Sequence, residues 1–275
     1  IAGSLRYPAT ACGLSTVKPG LGRVPAYLPS AKAERGILAQ LMSVQGAICR
    51  EVKDVRLATQ VLIGHDPRDP WHVPMPFSQP GSSLSKVGYC REAHGYPIHE
   101  GILANLDRAA SILEDAGYQV EEIEIPPIAE PAKAWLQVTN FEMKKTLEPV
   151  YKEHGSDIIN QIFGCYYKLE DMVDAEGYLF GIAERTRMVR EWNLLLADYP
   201  LILTPFLMRP GYTSDFDETF EGVKDLFDSS IYSYGVNYLG MPAGVVPVDL
   251  VDGLPSGIQL IGQKWRENLI LDAME

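Results

Sequence analysis

The chain opens on a stretch of small residues around one serine: Ile1-Ala2-Gly3-Ser4-Leu5-Arg6-Tyr7-Pro8-Ala9-Thr10-Ala11-Cys12-Gly13. No bulky side chain precedes Ser4, because Ala2 and Gly3 stand before it. The backbone N–H groups of such a loop can converge on one point and stabilise a negative charge beside the serine hydroxyl. An ordinary turn is the simpler explanation of an isolated Ala-Gly-Ser. Ser4 is therefore a candidate nucleophile whose assignment depends on the rest of the chain.

Two ordered blocks, one at each end of the chain, carry a more specific pattern. The first contains Ser-Leu-Arg, Pro-Ala, Cys-Gly, Lys-Pro and Gly-Arg-Val, all within residues 4–24. The second reads Tyr-Leu-Gly-Met-Pro-Ala-Gly-Val-Val-Pro over residues 238–247 and Gly-Leu-Pro-Ser-Gly-Ile-Gln-Leu-Ile-Gly over residues 253–262. In order and spacing these blocks resemble the nucleophile loop and the C-terminal motifs of the amidase signature family of serine hydrolases. The resemblance extends over essentially all 275 residues.

The resemblance implies hydrolysis of a small-molecule carboxamide to a carboxylic acid plus ammonia or an amine, through an acyl-enzyme. Ser4 occupies the nucleophile position, and the backbone N–H groups of Ile1, Ala2, Gly3 and Ser4 would form the oxyanion hole. Ala2 departs from the family pattern, which usually has a glycine there. No metal and no cofactor are implied.

The remaining catalytic groups of the family are expected outside this chain. In the family, a base lysine and a relay serine held by a cis peptide bond lie upstream of the nucleophile loop. Lys18 is not that base, since it matches the structural Lys-Pro of the motif. We therefore interpret residues 1–275 as a single amidase signature domain that is N-terminally incomplete, and expect this segment alone to be inactive.

Hydrophobic periodicity predicts an α/β fold. Residues 86–90 and 118–125 have the pattern of strands, and residues 99–116 between them have that of an amphipathic helix, which together predict a parallel βαβ unit. Residues 201–205 form a short apolar run typical of a buried strand. Residues 244–247 and 257–261 predict two central strands joined by a turn at Asp252-Gly253. We expect a mixed, largely parallel central sheet flanked by helices, lacking its N-terminal part, with Ser4 buried at the sheet edge near Val246 and Leu260.

Composition excludes several classes of partner. Hydrophobic residues make up 46% and charged residues 22%, as in soluble globular proteins. The net charge of −12 and the lack of long Lys/Arg clusters argue against direct nucleic-acid binding. No apolar run reaches the roughly 20 residues needed to cross a membrane. The four cysteines are scattered, which is typical of reduced thiols in a cytoplasmic protein. His65, Asp66 and Asp69 favour a solvated turn over a metal site, because prolines interrupt them.

Other readings stay open at this point. The chain lacks the Gly-x-Ser-x-Gly, His-Glu-x-x-His and Walker patterns, and none of its five histidines stands in a motif suited to a general base. The segments at residues 45–50 and 65–70 favour a stand-alone amidase over the glutaminase component of a tRNA-dependent amidotransferase. A non-catalytic scaffold relative, an esterase preference and a homodimer are further alternatives. Three aromatic residues favour core packing over lining an acyl pocket: Trp135, Tyr232 and Tyr234.

Overall fold

The computed structural model describes residues 2–31, 33–77 and 86–275, and its centre is a seven-stranded sheet. The strands are β1 (Ser15–Lys18), β2 (Ile48–Cys49), β3 (Lys86–Tyr89), β4 (Gln119–Glu122), β5 (Leu201–Pro205), β6 (Ala243–Val251) and β7 (Leu254–Gly262). Their order in the sheet is β2-β1-β6-β7-β5-β3-β4. The N-terminal strand β1 therefore lies beside the C-terminal hairpin of β6 and β7, which brings the two sequence blocks together.

Eleven α-helices are defined within these ranges. They are α1 (Arg6–Ala11), α2 (Ile37–Met42), α3 (Val52–Leu62), α4 (Glu100–Asp115), α5 (Ala129–Thr146), α6 (Glu148–His154), α7 (Asp157–Leu169), α8 (Ala175–Asp198), α9 (Phe220–Ser229), α10 (Ile231–Leu239) and α11 (Glu267–Met274). A 3₁₀ turn at Phe216–Glu218 precedes α9. No helix in the described part of the chain is long and apolar enough to span a membrane.

The α/β class is confirmed, but the expected largely parallel sheet is wrong. Among the strands in the described residues, only β3 pairs in parallel, with β4 and β5, whereas the other four pairings are antiparallel. One of these antiparallel pairs results from the tight turn at Asp252 and Gly253, whose φ angles are 53° and 77°. This turn folds β7 back against β6, and the hairpin then separates β1 from β5 in the sheet. The predicted βαβ unit of β3, α4 and β4 is confirmed.

Helices cover both faces of the sheet. Successive side chains of a strand point to opposite faces, so neighbouring residues enter different cores. Ile202 and Ile261 pack into one core with α5, α8 and α10, while Leu203 and Leu260 pack into another core with α4 and α11. Helix α10 is buried along its whole length. The sequence patterns did not predict α10, since a helix that is buried on every side, including its polar residues Ser233 and Asn237, shows no solvent-facing polar stripe.

One residue in the segment after α3, Asp69, differs from the expected solvated turn. Asp69 is buried, with 8% of its surface exposed, and its two carboxylate oxygens accept hydrogen bonds from the backbone N–H groups of Ala26 and Trp71, both at 2.8 Å. Asp66 instead pairs with Arg68. Within the described ranges, no three His, Cys, Asp or Glu side chains come together as a metal site. These aspartates therefore shape the loops around them.

Candidate active site

Ser4 lies in a turn directly before α1, and the shape of this turn depends on Gly3. The φ angle of Gly3 is +124°, a conformation that side-chain-bearing residues rarely adopt. A Cβ atom at this position would overlap the hydroxyl of Ser233 and lie 2.7 Å from the Tyr7 ring. The Ser233 hydroxyl itself donates to the carbonyl of Ala2 at 2.8 Å. The turn that carries Ser4 is thus packed tightly against α10, while Ile1 lies outside the described residues.

Arg6 attaches the same turn to the sheet. Its guanidinium is fully buried and donates to the side-chain oxygens of Gln259 on β7 and Asn237 on α10, the latter at 2.6 Å. It also donates to the carbonyl of Ser233 at 3.1 Å. Burial lowers the pKa of Arg6 to about 9. Because three partners hold one planar guanidinium, the position of α1 relative to β7 and α10 is well defined.

The expected burial of Ser4 is wrong, although the helix that follows it lies against the expected strands. Helix α1 packs against β6 and β7, the two strands named in the prediction. The buried residues of α1 are Arg6, Ala9 and Thr10, whereas Ser4 precedes the helix and is exposed. Ser4 therefore faces an open cleft of about 240 Å³ instead of the interior.

The cleft has a marked excess of basic groups. Three of its lining side chains are basic and none is acidic, among the residues that the structure describes. The lining consists of Gly3, Ser4, Leu5, Arg6, Lys18, Arg35, Met42, Ser43, Val44, Gln45 and Asn237. Such a lining favours a group that carries or develops negative charge.

Lys18 is the least expected member of this lining. The sequence motif gave it a structural role, and the structure does bury it, with 3% of its surface exposed. Its Nζ donates to the carbonyl of Pro19 at 3.2 Å. Burial lowers the pKa of the Lys18 amine well below its ordinary value, and the nearby charge of Arg6 lowers it further. Its amine is thus a buried polar group on the wall of the cleft that contains Ser4.

Another part of the cleft lining is formed by the end of α2 and the residues that follow it. Glu142 of α5 accepts hydrogen bonds from the backbone N–H groups of Leu38 and Ala39, both at 2.9 Å, and so caps the first turn of α2. Tyr178 donates to the same carboxylate. A carboxylate at a helix N-terminus also complements the helix dipole. This cap positions Met42 and the residues after it at the cleft.

Sequence reasoning missed part of this site. Residues 42–44 line the cleft but lie in no recognised motif, and their placement results from the capping of α2. Asn237 offered a usable signal, because it stands at the Asn position of the family's Asn-x-x-Gly-x-Pro-Ala pattern. The three aromatic residues expected in the core are confirmed there and do not line the cleft: Trp135, Tyr232 and Tyr234.

Comparison with known proteins agrees with this architecture. The chain matches the Amidase family model over residues 1–271. It is 38% identical over 277 residues to an indoleacetamide hydrolase of Bradyrhizobium japonicum, an alignment that covers 99% of this chain and 59% of that protein. It is 26% identical over 299 residues to a glutamyl-tRNA(Gln) amidotransferase subunit of Clostridium kluyveri (strain NBRC 12016), covering 98% of this chain and 59% of that protein.

Solved structures show the same fold. A bacterial aryl acylamidase of the amidase signature enzymes superposes with a TM-score of 0.76 at 23% identity, covering 99% of this chain and 59% of that one. A 6-aminohexanoate cyclic dimer hydrolase superposes with a TM-score of 0.76 at 20% identity, covering 99% and 61%. The chain therefore belongs to the amidase signature family. It spans a little under three fifths of the length of these curated relatives, with 59% for both proteins named above.

Proposed function

We propose that the protein is a serine amidase in which Ser4 attacks the carbonyl carbon of a small carboxamide. The Ser4 hydroxyl proton passes to a base, the C–N bond breaks, and ammonia or an amine leaves with a proton. Water then cleaves the acyl-enzyme ester and releases the carboxylic acid. The observation that carries this proposal is the position of Ser4 at a cleft with three basic side chains and no acidic one among its described lining.

We assign the oxyanion hole to the backbone N–H groups of Ile1, Ala2, Gly3 and Ser4. The positive φ of Gly3 and its close packing against Ser233 support this assignment, because they give the loop one fixed shape. Donors that are fixed in advance need no reorganisation when the negative charge develops. Loss of one such donor typically costs about 3 kcal/mol of transition-state stabilisation.

We assign the base and the relay to residues outside this chain. Lys18 keeps a structural role in this proposal, since its amine is buried and bonded to the Pro19 carbonyl. Without an activating base, a serine hydroxyl is a poor nucleophile at neutral pH. Residues 1–275 alone are thus expected to be inactive, and a protein of full family length that contains them is expected to be active. A cytoplasmic location and a homodimer stay predictions.

The substrate that we propose is a small amide with an aromatic group. Support comes from the indoleacetamide hydrolase, which is 38% identical over 99% of this chain. The function of the amidotransferase relative, at 26% identity, is the second candidate, and the chain would then act on glutamine. We prefer the first because of the higher identity. A non-catalytic scaffold is the remaining alternative.

A fluorophosphonate probe tests the nucleophile directly. In the protein of family length, we expect the probe to label Ser4, and a Ser4→Ala variant to lose both the label and amide turnover. Ser43 is a matched control for labelling, because it is a second serine on the same cleft, and a Ser43→Ala variant should still be labelled. Absence of label from Ser4 would favour the scaffold. Ammonia release that needs glutamine and depends on tRNA would favour the amidotransferase function.

A further inference from the structure

A second and larger cavity adjoins the Ser4 cleft. It measures about 440 Å³ and shares Arg35 and Ser43 with the lining of the cleft. We call it the aromatic bay and define it by Tyr27, Leu28, Gln40, Arg68 and Trp71, which line it beyond the shared pair. Because two residues belong to both cavities, a molecule bound at Ser4 can extend into the bay.

The bay exposes an unusual amount of apolar surface. Tyr27, Leu28 and Trp71 remain 44%, 62% and 39% exposed, although each is a large hydrophobic residue. Clustered exposed apolar side chains in a concave surface are typical of ligand-binding sites. The bay therefore has the composition of a binding surface for an apolar group.

The walls of the bay are held in place by buried contacts. Asp69 accepts hydrogen bonds from Ala26 on one side and Trp71 on the other, so that one carboxylate fixes both loops. The backbone N–H of Val73 donates to the carbonyl of Gly22 at 2.9 Å. A Cβ at Gly22, where φ is +80°, would overlap the carbonyl oxygen of Trp71. These contacts hold the bay in one shape, which reduces the entropic cost of binding.

Hydrogen bonds orient the Trp71 ring toward the junction with the cleft. Its Nε1 donates to the side-chain oxygen of Gln40 at 3.0 Å, and the Gln40 amide donates to the carbonyl of Arg35 at 2.7 Å. Arg35 is one of the two residues shared with the Ser4 cleft. A continuous set of contacts therefore links the indole of Trp71 to the entrance of the Ser4 cleft.

Four charged residues line the bay, and the side chains of two of them, Arg68 and Asp69, have partners within the protein, whereas Glu34 and Arg35 complete the set. The guanidinium of Arg68 is paired with Asp66 at 2.6 Å and lies 4.6 Å from the centre of the Tyr27 ring. Both oxygens of Asp69 accept backbone hydrogen bonds. Paired charges attract a further charged ligand weakly, whereas open aromatic surfaces pack well against another ring. With Arg68 and Asp69 paired and with Tyr27, Leu28 and Trp71 exposed, this part of the bay suits a neutral aromatic ring.

We propose, on the basis of the serine amidase function proposed above, that the aromatic bay binds an aromatic ring of the substrate while its carboxamide lies at Ser4. Trp71 is then a specificity-determining residue. The ring can belong to the acyl side of the amide, as in phenylacetamide, or to the amine side, as in acetanilide. Both cases need the same chemistry from the bay, and the experiment below separates them.

The test compares kcat/KM for phenylacetamide, acetanilide and acetamide in the protein of family length. One of the two ring-bearing amides, phenylacetamide or acetanilide, places its ring in the bay. For that amide we expect Trp71→Ala to lower kcat/KM about tenfold relative to its effect on kcat/KM for acetamide. The loss should come mainly from a higher KM. Trp71→Phe should recover part of this loss, because it restores a ring. Phe180→Ala removes an aromatic side chain that is 63% exposed on α8, outside the bay, and should change none of the three values.

A binding measurement separates this proposal from the proposed catalytic function. Calorimetry with phenylacetamide and with acetanilide on the Ser4→Ala variant should show weaker binding of one of them when Trp71→Ala is added. If no amide is turned over but this weakening is seen, the catalytic proposal fails and the bay stands. If Trp71→Ala affects all amides equally and weakens neither ligand, the bay proposal is wrong. Melting temperatures equal to that of the parent protein exclude unfolding as the cause.

Discussion

The guanidinium of Arg6, two residues after Ser4, donates a hydrogen bond to the side-chain oxygen of Asn237 at 2.6 Å. The same guanidinium also donates to Gln259 on β7. One buried side chain therefore joins the Ser4 turn, helix α10 and the central hairpin. The two sequence blocks, which lie more than two hundred residues apart along the chain, meet at this contact.

Replacement of Arg6 by lysine should loosen this junction. Lysine keeps the positive charge but lacks the planar fork that reaches several acceptors at once. We expect Arg6→Lys to lower the free energy of unfolding by about 2–3 kcal/mol, since hydrogen bonds to a buried charged group are lost. Fluorophosphonate labelling of Ser4 should also slow, and urea unfolding together with labelling kinetics measures both effects.

Arg187→Lys is the control for that substitution. Arg187 pairs with Glu130, Glu184 and Glu191, but its side chain is 40% exposed. Exposed ion pairs contribute little to stability, so this change should leave unfolding and labelling nearly as they were. Equal effects of the two substitutions would contradict the role that we assign to Arg6.

Gly3→Ala should distort the turn that carries Ser4. The φ of +124° is unfavourable for alanine, and the new methyl group would overlap the Ser233 hydroxyl. We expect a loss of about 1–3 kcal/mol of stability from backbone strain, with a strong decrease in labelling of Ser4. Gly164→Ala is the matched control, because nothing lies within 4 Å of a Cβ at that position in α7. Alanine there should stabilise the helix by up to about 1 kcal/mol.

Arg23 and Glu267 should show strong energetic coupling. Their side chains are 0% exposed and lie 3.2 Å apart, and Glu267 also accepts from the backbone N–H of Gly20 at 3.0 Å. Removal of either partner breaks a buried ion pair, which typically costs about 3–5 kcal/mol. The double variant Arg23→Met/Glu267→Leu should therefore be more stable than the sum of the single effects predicts. A double-mutant cycle in urea measures this difference.

The exposed pair of Lys53 and Glu51 provides the comparison for that cycle. Their side chains are 71% and 60% exposed, so water screens their attraction. The corresponding cycle should give no resolvable coupling energy. Similar coupling in the two pairs would show that burial is not the reason for the stability of the contact between Arg23 and Glu267.

Lys18→Met should change the pH dependence of stability. Burial lowers the pKa of the Lys18 amine in the folded protein, where Arg6, Arg185 and Lys264 lower it too and Glu267 opposes the shift. The unfolded chain then binds the proton more tightly than the folded chain does. The stability that Lys18 contributes is present above its ordinary pKa of 10.5 and is lost as the pH falls through the folded pKa.

The measurement is urea unfolding of parent and variant between neutral pH and about pH 9.5. The free energy of unfolding of the parent minus that of the Lys18→Met variant should increase as the pH rises. The slope of this difference against pH has an upper limit of about 1.4 kcal/mol per pH unit for one proton. Parallel pH profiles for the two proteins would contradict a lowered pKa for this amine.

Local patterns predicted part of the secondary structure. Helix α4, the strand at residues 201–205 and the turn at Asp252 and Gly253 follow from such patterns, and the structure confirms them. Helix α10 was not predictable in this way, because it is buried on every side. The direction of the strands was not predictable either, since strand pairing depends on contacts between distant parts of the chain.

The sequence alone determined the family, the hairpin near the C-terminus and the choice of Ser4 as the candidate nucleophile, because each depends on residue types at fixed short spacings. Only the tertiary structure decided that Ser4 is exposed, that Lys18 and Asn237 share its cleft, and that Trp71 lines the adjoining bay. These residues lie far apart along the chain. Their proximity results from hydrogen bonds and packing between separate elements, which no local spacing records.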